Sequence, residues 1–241
     1  MTDDAGHRRF ATTRWSLILA AADPRSTSAE SALAALCEIY WFPVYAFVRR
    51  TGASIDDAKD LTQAFFTRVL EKGYFKEARQ ERGRFRAFLL TAVRHFLSNE
   101  RDARRALKRG GGQAMLPLEF DDGERRYLLE PVEDQTPEHV YERRWALTVL
   151  DAALTRLSSR YEDAERRKVF VALRPLLTGR DLDSHERIAA SLNVTEGTLR
   201  VALHRLRKQF ASALRDVILE TVETPEEVEL ELQHLLDVVS R

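Results

Sequence analysis

The 241-residue sequence contains one cysteine, Cys37, and no long apolar run. A single cysteine excludes an internal disulfide and fits a reducing compartment. No stretch approaches the roughly 20 apolar residues that span a bilayer, and the N-terminal segment lacks the apolar core of a signal peptide. We therefore expect a cytoplasmic protein that makes no contact with a membrane.

Catalytic and metal-binding motifs are also missing from the sequence. Its six histidines are scattered, and none lies at zinc-motif spacing from the cysteine. There is no P-loop, no G-x-S-x-G motif and no dinucleotide-binding fingerprint. The sequence therefore predicts no enzymatic activity, no cofactor and no metal.

The chain has no net charge, because 38 basic residues balance 38 acidic ones. The distribution of these charges is uneven, however. Residues 79–109 contain ten basic and three acidic side chains, whereas residues 220–241 contain seven acidic and one basic. The total charge therefore indicates no partner, but the basic body and the acidic tail each indicate a charged surface.

Apolar residues recur at helical spacing and β-branched runs are scarce, which predicts an all-α fold. Pro43 is expected to kink or divide the first helix. Helices are expected at about 28–50, 56–72, 84–108, 137–160, 162–177, 184–192, 195–219 and 225–239.

The glycine-rich stretch after the third predicted helix interrupts this pattern and indicates a linker. We expect two helical domains joined by that linker, between an N-terminal segment and an acidic C-terminal helix. The corresponding ranges are 1–27, 28–109 (first domain), 110–136 (linker), 137–220 (second domain) and 221–241. The linker can dock on a domain, because it is too apolar for full solvation at Leu116, Leu118, Phe120, Tyr127, Leu128 and Leu129.

Residues 183–210 have the pattern of a helix-turn-helix. Asp183 and Thr195 are expected to cap two helices that are separated by a turn at Asn193 and Val194. An ordinary amphipathic hairpin is the alternative, but five bases and no acid between residues 200 and 215 favour DNA binding. A helix-turn-helix places its second helix in the major groove. The predicted DNA contacts are Thr195, Glu196, Thr198, Arg200, Val201, His204, Arg205, Arg207 and Lys208.

The third predicted helix carries a polar ribbon opposite an apolar stripe. On a helix of 3.6 residues per turn, the stripe contains Phe85, Phe88, Leu89, Ala92 and Phe96. The ribbon contains Thr91, Arg94, Ser98, Arg101 and Arg105. A solvated face usually mixes charges of both signs, so this mostly basic ribbon favours binding to a nucleic acid backbone.

Three patterns in this order resemble the extracytoplasmic-function (ECF) sigma factors of bacteria. They are DDAKDLTQAFFTRVLEK at 56–72, GRFRAFLLTAVRHFLSNERDARR at 83–105, and the helix-turn-helix at 184–210. The resemblance covers about residues 28–108, similar to the second conserved domain of that family, and 137–219, similar to the fourth. It implies a promoter-specificity subunit that joins core RNA polymerase, binds promoter DNA and assists its melting.

The resemblance also implies residue roles. On the second helix, the surface that grips the clamp coiled coil of the largest polymerase subunit corresponds to Asp60, Leu61, Gln63, Phe66 and Arg68. The loop 73–84 corresponds to the part that captures a flipped base, and the third helix to the part that lies on the minus-ten element. The implied minus-ten contacts are Tyr74, Phe75, Arg84, Arg86, Arg94, His95, Ser98, Arg101 and Arg105. The helix-turn-helix contacts are implied to read the minus-thirty-five element.

Three residues depart from the family pattern. Ala64 stands where the family usually has an acid, Phe88 where it has tryptophan, and His95 where asparagine is common. His95 therefore bears directly on base preference at the minus-ten element.

Two other functions compete with this interpretation. A regulator that binds duplex DNA as a dimer through the helix-turn-helix would not account for the second helix or the basic ribbon. A nucleic-acid-processing enzyme would need a metal or acid–base cluster, which the sequence lacks. Control by an anti-sigma factor, by abundance or by the tail stays open.

The acidic tail has an apolar stripe of its own, which predicts a docked helix capped by Thr224. The stripe contains Val228, Leu232, Leu235, Leu236 and Val239. Packing against the second domain is the simpler expectation. The alternative is that the tail competes with DNA for a basic face and keeps the isolated protein inactive.

Overall fold

The computed structural model describes residues 27–71, 85–106, 120–128, 135–178, 184–222 and 224–240. All regular structure in these ranges is helical, which confirms the predicted all-α fold. The α-helices are α1 Thr27–Arg50, α2 Ile55–Glu71, α3 Phe85–Ala106, α4 Phe120–Leu128, α5 Pro137–Ser158, α6 Ala164–Leu173, α7 Ser184–Ser191, α8 Glu196–Leu219 and α9 Glu227–Ser240. In the part of the chain so described, no helix is long and apolar enough to cross a membrane.

The chain divides into two compact units. Unit 1 comprises Met1–Thr148 together with Ile218–Arg241, and unit 2 comprises Val149–Val217. Both boundaries fall inside helices, α5 and α8. The sequence assigned residues 137–148 to the second domain and predicted that the tail, a separate element, packs against that domain. The structure instead includes both in unit 1.

The core of unit 1 consists of aromatic and aliphatic side chains from α1, α2, α3 and the first half of α5, where Tyr141 and Trp145 have no exposed area. Tyr40 of α1 packs edge-on against Phe85 of α3, with ring centroids 4.9 Å apart. Phe65 of α2 packs against Phe96 of α3 at 5.6 Å. The predicted stripe of α3 is buried throughout, and this leaves the opposite ribbon toward solvent.

Short-range signals set the ends of α1 and α2. Pro43 lies within α1 without dividing it. The chain then turns at Gly52, whose φ of 93° is a conformation that glycine adopts at little cost. Ser54 caps α2, because its hydroxyl accepts a hydrogen bond from the Asp57 amide (3.1 Å) and donates one to the Asp57 carboxylate (2.8 Å).

The segment predicted as a linker contains a docked helix, α4. Gly123 is buried against the ring of Trp41 on α1, and Phe120 packs edge-on against the same ring at 5.7 Å. The Glu124 carboxylate accepts two hydrogen bonds from the Arg49 guanidinium, both of 3.0 Å. That partner is the main reason why the pKa of Glu124 lies below its ordinary value. The predicted docking residues Leu116, Leu118 and Leu129 lie outside the described residues.

Unit 2 has its own core, which is formed by α6, α7, α8 and the second half of α5. Asp163 caps α6 by accepting hydrogen bonds from the amides of Glu165 (3.0 Å) and Arg166 (3.1 Å). The helix predicted at 162–177 changes to a 3₁₀ helix over Arg174–Thr178, because Pro175 has no amide hydrogen to continue an α-helix. Apolar side chains of α7 and α8, including Ala189, Leu199, Leu203 and Leu206, close this core.

Candidate nucleic-acid interface

A Schellman motif ends α7 and sets the direction of α8. Asn193 has a φ of 53°, in the left-handed region that asparagine tolerates. The Val194 amide donates to the Ala189 carbonyl (3.0 Å) and the Asn193 amide to the Ala190 carbonyl (3.1 Å). The turn predicted at Asn193 and Val194 is therefore present.

Thr195 starts the second helix of the motif as predicted. Its hydroxyl accepts a hydrogen bond of 3.2 Å from the Thr198 amide, and the two threonine hydroxyls lie 2.9 Å apart. This cap satisfies one of the amides that a helix N-terminus leaves without a partner. The predicted cap of α7, Asp183, lies outside the described residues.

Helix α8 has one buried face and one exposed face. The buried face carries Leu199, Leu203 and Leu206, each at most 3% exposed. All nine predicted DNA contacts of the helix-turn-helix are exposed. One of them, Val201, is apolar, and its side chain is 52% exposed. An exposed β-branched residue among polar ones suits contact with a thymine methyl group.

Two basic side chains of this face have partners within unit 2. Arg200 forms an ion pair of 2.9 Å with Glu196, one helical turn earlier. Arg207 donates a hydrogen bond of 3.0 Å to the Leu176 carbonyl. Both arginines keep exposed surface, so the face presents them in defined orientations.

The charged part of the ribbon on α3 is exposed where its side chains are described. Arg94, His95, Ser98 and Arg101 are exposed, whereas Thr91 is half-buried. The Arg94 guanidinium lies 3.8 Å from the carboxylate of Glu138. Only the helical backbone is described at Arg105, and Tyr74, Phe75 and Arg84 lie outside the described residues.

Arg86 differs from the other predicted minus-ten contacts, because it is only 6% exposed. Its guanidinium donates to both carboxylate oxygens of Glu231 (3.1 and 3.2 Å) and also to the Glu142 carboxylate. Because of these partners and its burial, the side chain of Arg86 is not accessible to DNA as the other predicted minus-ten contacts of α3 are. Together the two carboxylates raise its pKa above the ordinary value for arginine, against the opposing effect of burial.

The predicted polymerase-binding residues lie along α2. Asp60 is exposed, and Leu61, Gln63 and Arg68 are half-buried. Phe66 does not belong to this surface, because its side chain has no exposed area and packs against Phe65, with ring centroids 5.2 Å apart. Neighbouring residues of a helix point about 100° apart. Phe65 and Phe66 lie on either side of the buried direction of α2, so both side chains are in the core.

A cleft of about 200 Å³ lies beside the predicted polymerase surface of α2 and the ribbon of α3. Leu61 and Arg101 both line it, so residues from the two predicted surfaces meet at one site. In the described parts of the chain, no group of three or more histidine, cysteine, aspartate or glutamate side chains could hold a metal ion.

Sequence reasoning did not identify Glu231 and Glu142 as partners of Arg86. One signal was present in the spacing of α9, where Glu231 shares a face with Val228 and Leu235. Of the predicted apolar stripe, Val228 and Leu235 are buried and Leu232 is half-buried, whereas Leu236 is 55% exposed and Val239 is 42% exposed. A lone acid on the buried face of a helix indicates a buried basic partner.

Comparison with known families identifies the family to which a chain with these two surfaces belongs. A family model described as ECF sigma factor matches residues 49–216, well over half of the chain. The chain belongs to the ECF sigma factor family. As a sigma factor it acts in transcription, and its family implies RNA polymerase and promoter DNA as partners. No curated protein and no solved structure matched the chain.

The sigma factor match has a bearing on the tail as well. It begins at the end of α1 and extends into α8, so it includes the ribbon of α3 and the helix-turn-helix. Helix α9 lies beyond residue 216, where the match ends. The contacts of α9 with Arg86 are therefore contacts between a matched helix and an element outside the match.

Proposed function

We propose that this sigma factor directs core RNA polymerase to promoters through two DNA contacts and assists promoter opening. Helix α8 reads the minus-thirty-five duplex, and α3 holds the minus-ten region. The observation that carries the proposal is the exposed face of α8, where every predicted contact is accessible and the leucines are buried. The exposed ribbon of α3 supports the second contact.

The two halves of the α8 face have different roles. Residues near the start of a recognition helix approach base edges, and later basic residues approach phosphates. We assign base contact to Thr195, Glu196, Thr198, Arg200, Val201 and His204, and phosphate contact to Arg205, Arg207 and Lys208. The ion pair of Arg200 with Glu196 holds the guanidinium near the start of the helix.

Promoter opening needs a surface for the separated strand. Extruding a base costs a few kcal/mol in unstacking and unpairing, and a cationic groove with aromatic platforms can offset that cost. Arg94, His95, Ser98 and Arg101 supply the polar groove on α3, with Arg105 as its continuation. The aromatic platforms are assigned to Tyr74 and Phe75, and Arg84 to their cationic surroundings.

The contact with polymerase is assigned to α2. Its exposed and half-buried residues, Asp60, Leu61, Gln63 and Arg68, form the accessible surface, whereas the two phenylalanines are buried. Phe66 supports this surface from the core. The cleft beside Leu61 brings the polymerase contact close to the DNA ribbon of the same unit.

Transcription with purified core polymerase tests this function. Adding the protein should yield a specific transcript from a promoter of the family type, and omitting it should abolish that transcript. A protein that shifts duplex DNA unaided but yields no transcript would contradict the proposal and favour the dimeric regulator.

Substitutions on α8 test the assigned roles. Arg200→Ala should cost about 1–3 kcal/mol of binding at one base position, whereas Arg205→Ala should weaken binding to all sequences and reduce the salt slope by about one. The matched control is Arg167→Ala on α6, which removes an exposed arginine of the same unit outside the helix-turn-helix. Equal losses from all three variants would mean that only total charge matters.

A further inference from the structure

Helix α9 docks at the start of α3 through a buried charge cluster. Glu231 is completely buried and accepts a bidentate pair of hydrogen bonds from Arg86. The Glu142 carboxylate of α5 accepts a hydrogen bond from the third nitrogen of the same guanidinium. The Phe85 amide, at the first residue of α3, donates to the carbonyl of Thr221, six residues before α9 begins (3.2 Å). The chain leading to α9 is therefore attached to the helix that carries the ribbon.

The charge in this contact is poorly explained by stability alone. Burying a carboxylate is costly, and an apolar residue of similar size often stabilises such a position as well or better. The other buried side chains of α9 are Val228 and Leu235, and the half-buried His234 packs against Trp145 with ring centroids 5.8 Å apart. The buried acid therefore adds a dependence on one guanidinium to an otherwise mainly apolar contact.

A cleft of about 410 Å³, partly open to solvent, lies between α9 and α5. It is lined by Gln135, His139, Glu142, Arg143, His234, Asp237 and Val238. His234 bridges the two helices beside it with a contact of 2.8 Å to the Glu142 carboxylate. Where the cleft lies, α9 and α5 face solvent and not each other.

We propose that α9 is a releasable acidic cover that keeps Arg86 away from promoter DNA until the sigma factor engages it. A carboxylate and a phosphate offer arginine the same bidentate geometry, so Glu231 and a DNA phosphate compete for one guanidinium. This inference rests on the proposed function, in which the start of α3 contacts the minus-ten region.

Binding of a mixed-sequence single-stranded DNA to the full-length protein tests the cover. Glu231→Gln keeps the size of the side chain but weakens the pairing, so it should tighten DNA binding by about tenfold or more. The control is Glu226→Gln, which removes the same charge from an exposed position just before α9. Equal affinities of the two variants would overturn the proposal, because general electrostatics would then account for the change.

Hydrogen exchange on the unaltered chain distinguishes a cover from a purely structural helix, because a purely structural α9 would stay protected when DNA binds. The amides of α9 should be protected in the isolated protein and lose that protection when DNA binds. DNA binding with α9 still protected would overturn the cover. This measurement decides the question by itself if Glu231→Gln does not fold.

Transcription distinguishes failure of this inference from failure of the proposed function. Normal transcription by the unaltered protein, with α9 protected throughout, rejects only the cover. Stronger transcription by Glu231→Gln than by the unaltered protein supports the cover. Absence of transcription with both proteins rejects the proposed function and the cover with it.

Discussion

Replacing Gly123 by alanine tests the docking of α4 on α1. The added Cβ would lie 2.9 Å from Cη2 and from Cζ3 of Trp41, and 3.6 Å from Cδ2 of Phe42. Two carbon atoms attract each other best at about 3.5–4.0 Å. The Trp41 ring cannot move aside easily, because Phe42 and Phe120 each pack against it with centroids 5.7 Å away.

Two opposing effects set the magnitude. In a solvated helix, glycine to alanine is stabilising by about 1 kcal/mol. An extra methyl group in a well-packed site costs about 1–3 kcal/mol. We expect the second effect to prevail, so that Gly123→Ala destabilises the docked helix by about 1 kcal/mol.

Hydrogen exchange of the α4 amides measures this local free energy of opening. A loss of about 1 kcal/mol corresponds to roughly fivefold less protection. The matched control is Asp122→Ala, an exposed neighbour in the same helix whose replacement should be neutral or slightly stabilising. Protection that increases in Gly123→Ala would refute the reasoning, because it would mean that position 123 behaves as a solvated glycine.

Three other predictions follow from buried or paired groups. Cys37 is 4% exposed and burial raises its pKa to about 12, so a thiol reagent at pH 8 should modify it only after denaturation; rapid labelling of the native protein would contradict this. Thr195→Ala should cost about 1 kcal/mol in thermal unfolding of the helix-turn-helix, and Thr195→Ser should restore most of it. The pKa of Glu124 is lowered mainly by Arg49, so its stabilisation is present above the ordinary glutamate pKa and is lost as the pH falls through the lowered one. Protection of α4 should therefore decrease below roughly pH 4, and Glu124→Gln should lack that step.

The helix-turn-helix was predictable because its signals are local. Thr195 caps the helix that begins at the next residue, and Asn193 takes the left-handed conformation two residues before it. Leucines at helical spacing determine which face of α8 is buried, and the opposite face, where the DNA contacts are predicted, is exposed. None of these features depends on a contact distant in sequence.

Helix α4 shows why the linker was harder to predict. Its sequence contains a glycine and two aspartates, which are weak helix formers. The contacts that hold it, Gly123 with Trp41 and Glu124 with Arg49, join residues 75 or more positions apart. A composition that suggests a flexible segment can therefore form a helix where a matching surface exists.

The sequence by itself determined the described helices other than α4, the cap at Thr195, the basic ribbon and the polar face of α8, because each follows from residues within a few turns of one another. The tertiary structure decided which of those residues are accessible. The resemblance makes Arg86 a minus-ten contact in sequence, but Glu231 reaches it from 145 positions away and Glu142 from 56. Burial and ion pairing are properties of what surrounds a side chain, and those surroundings form only when distant segments pack together.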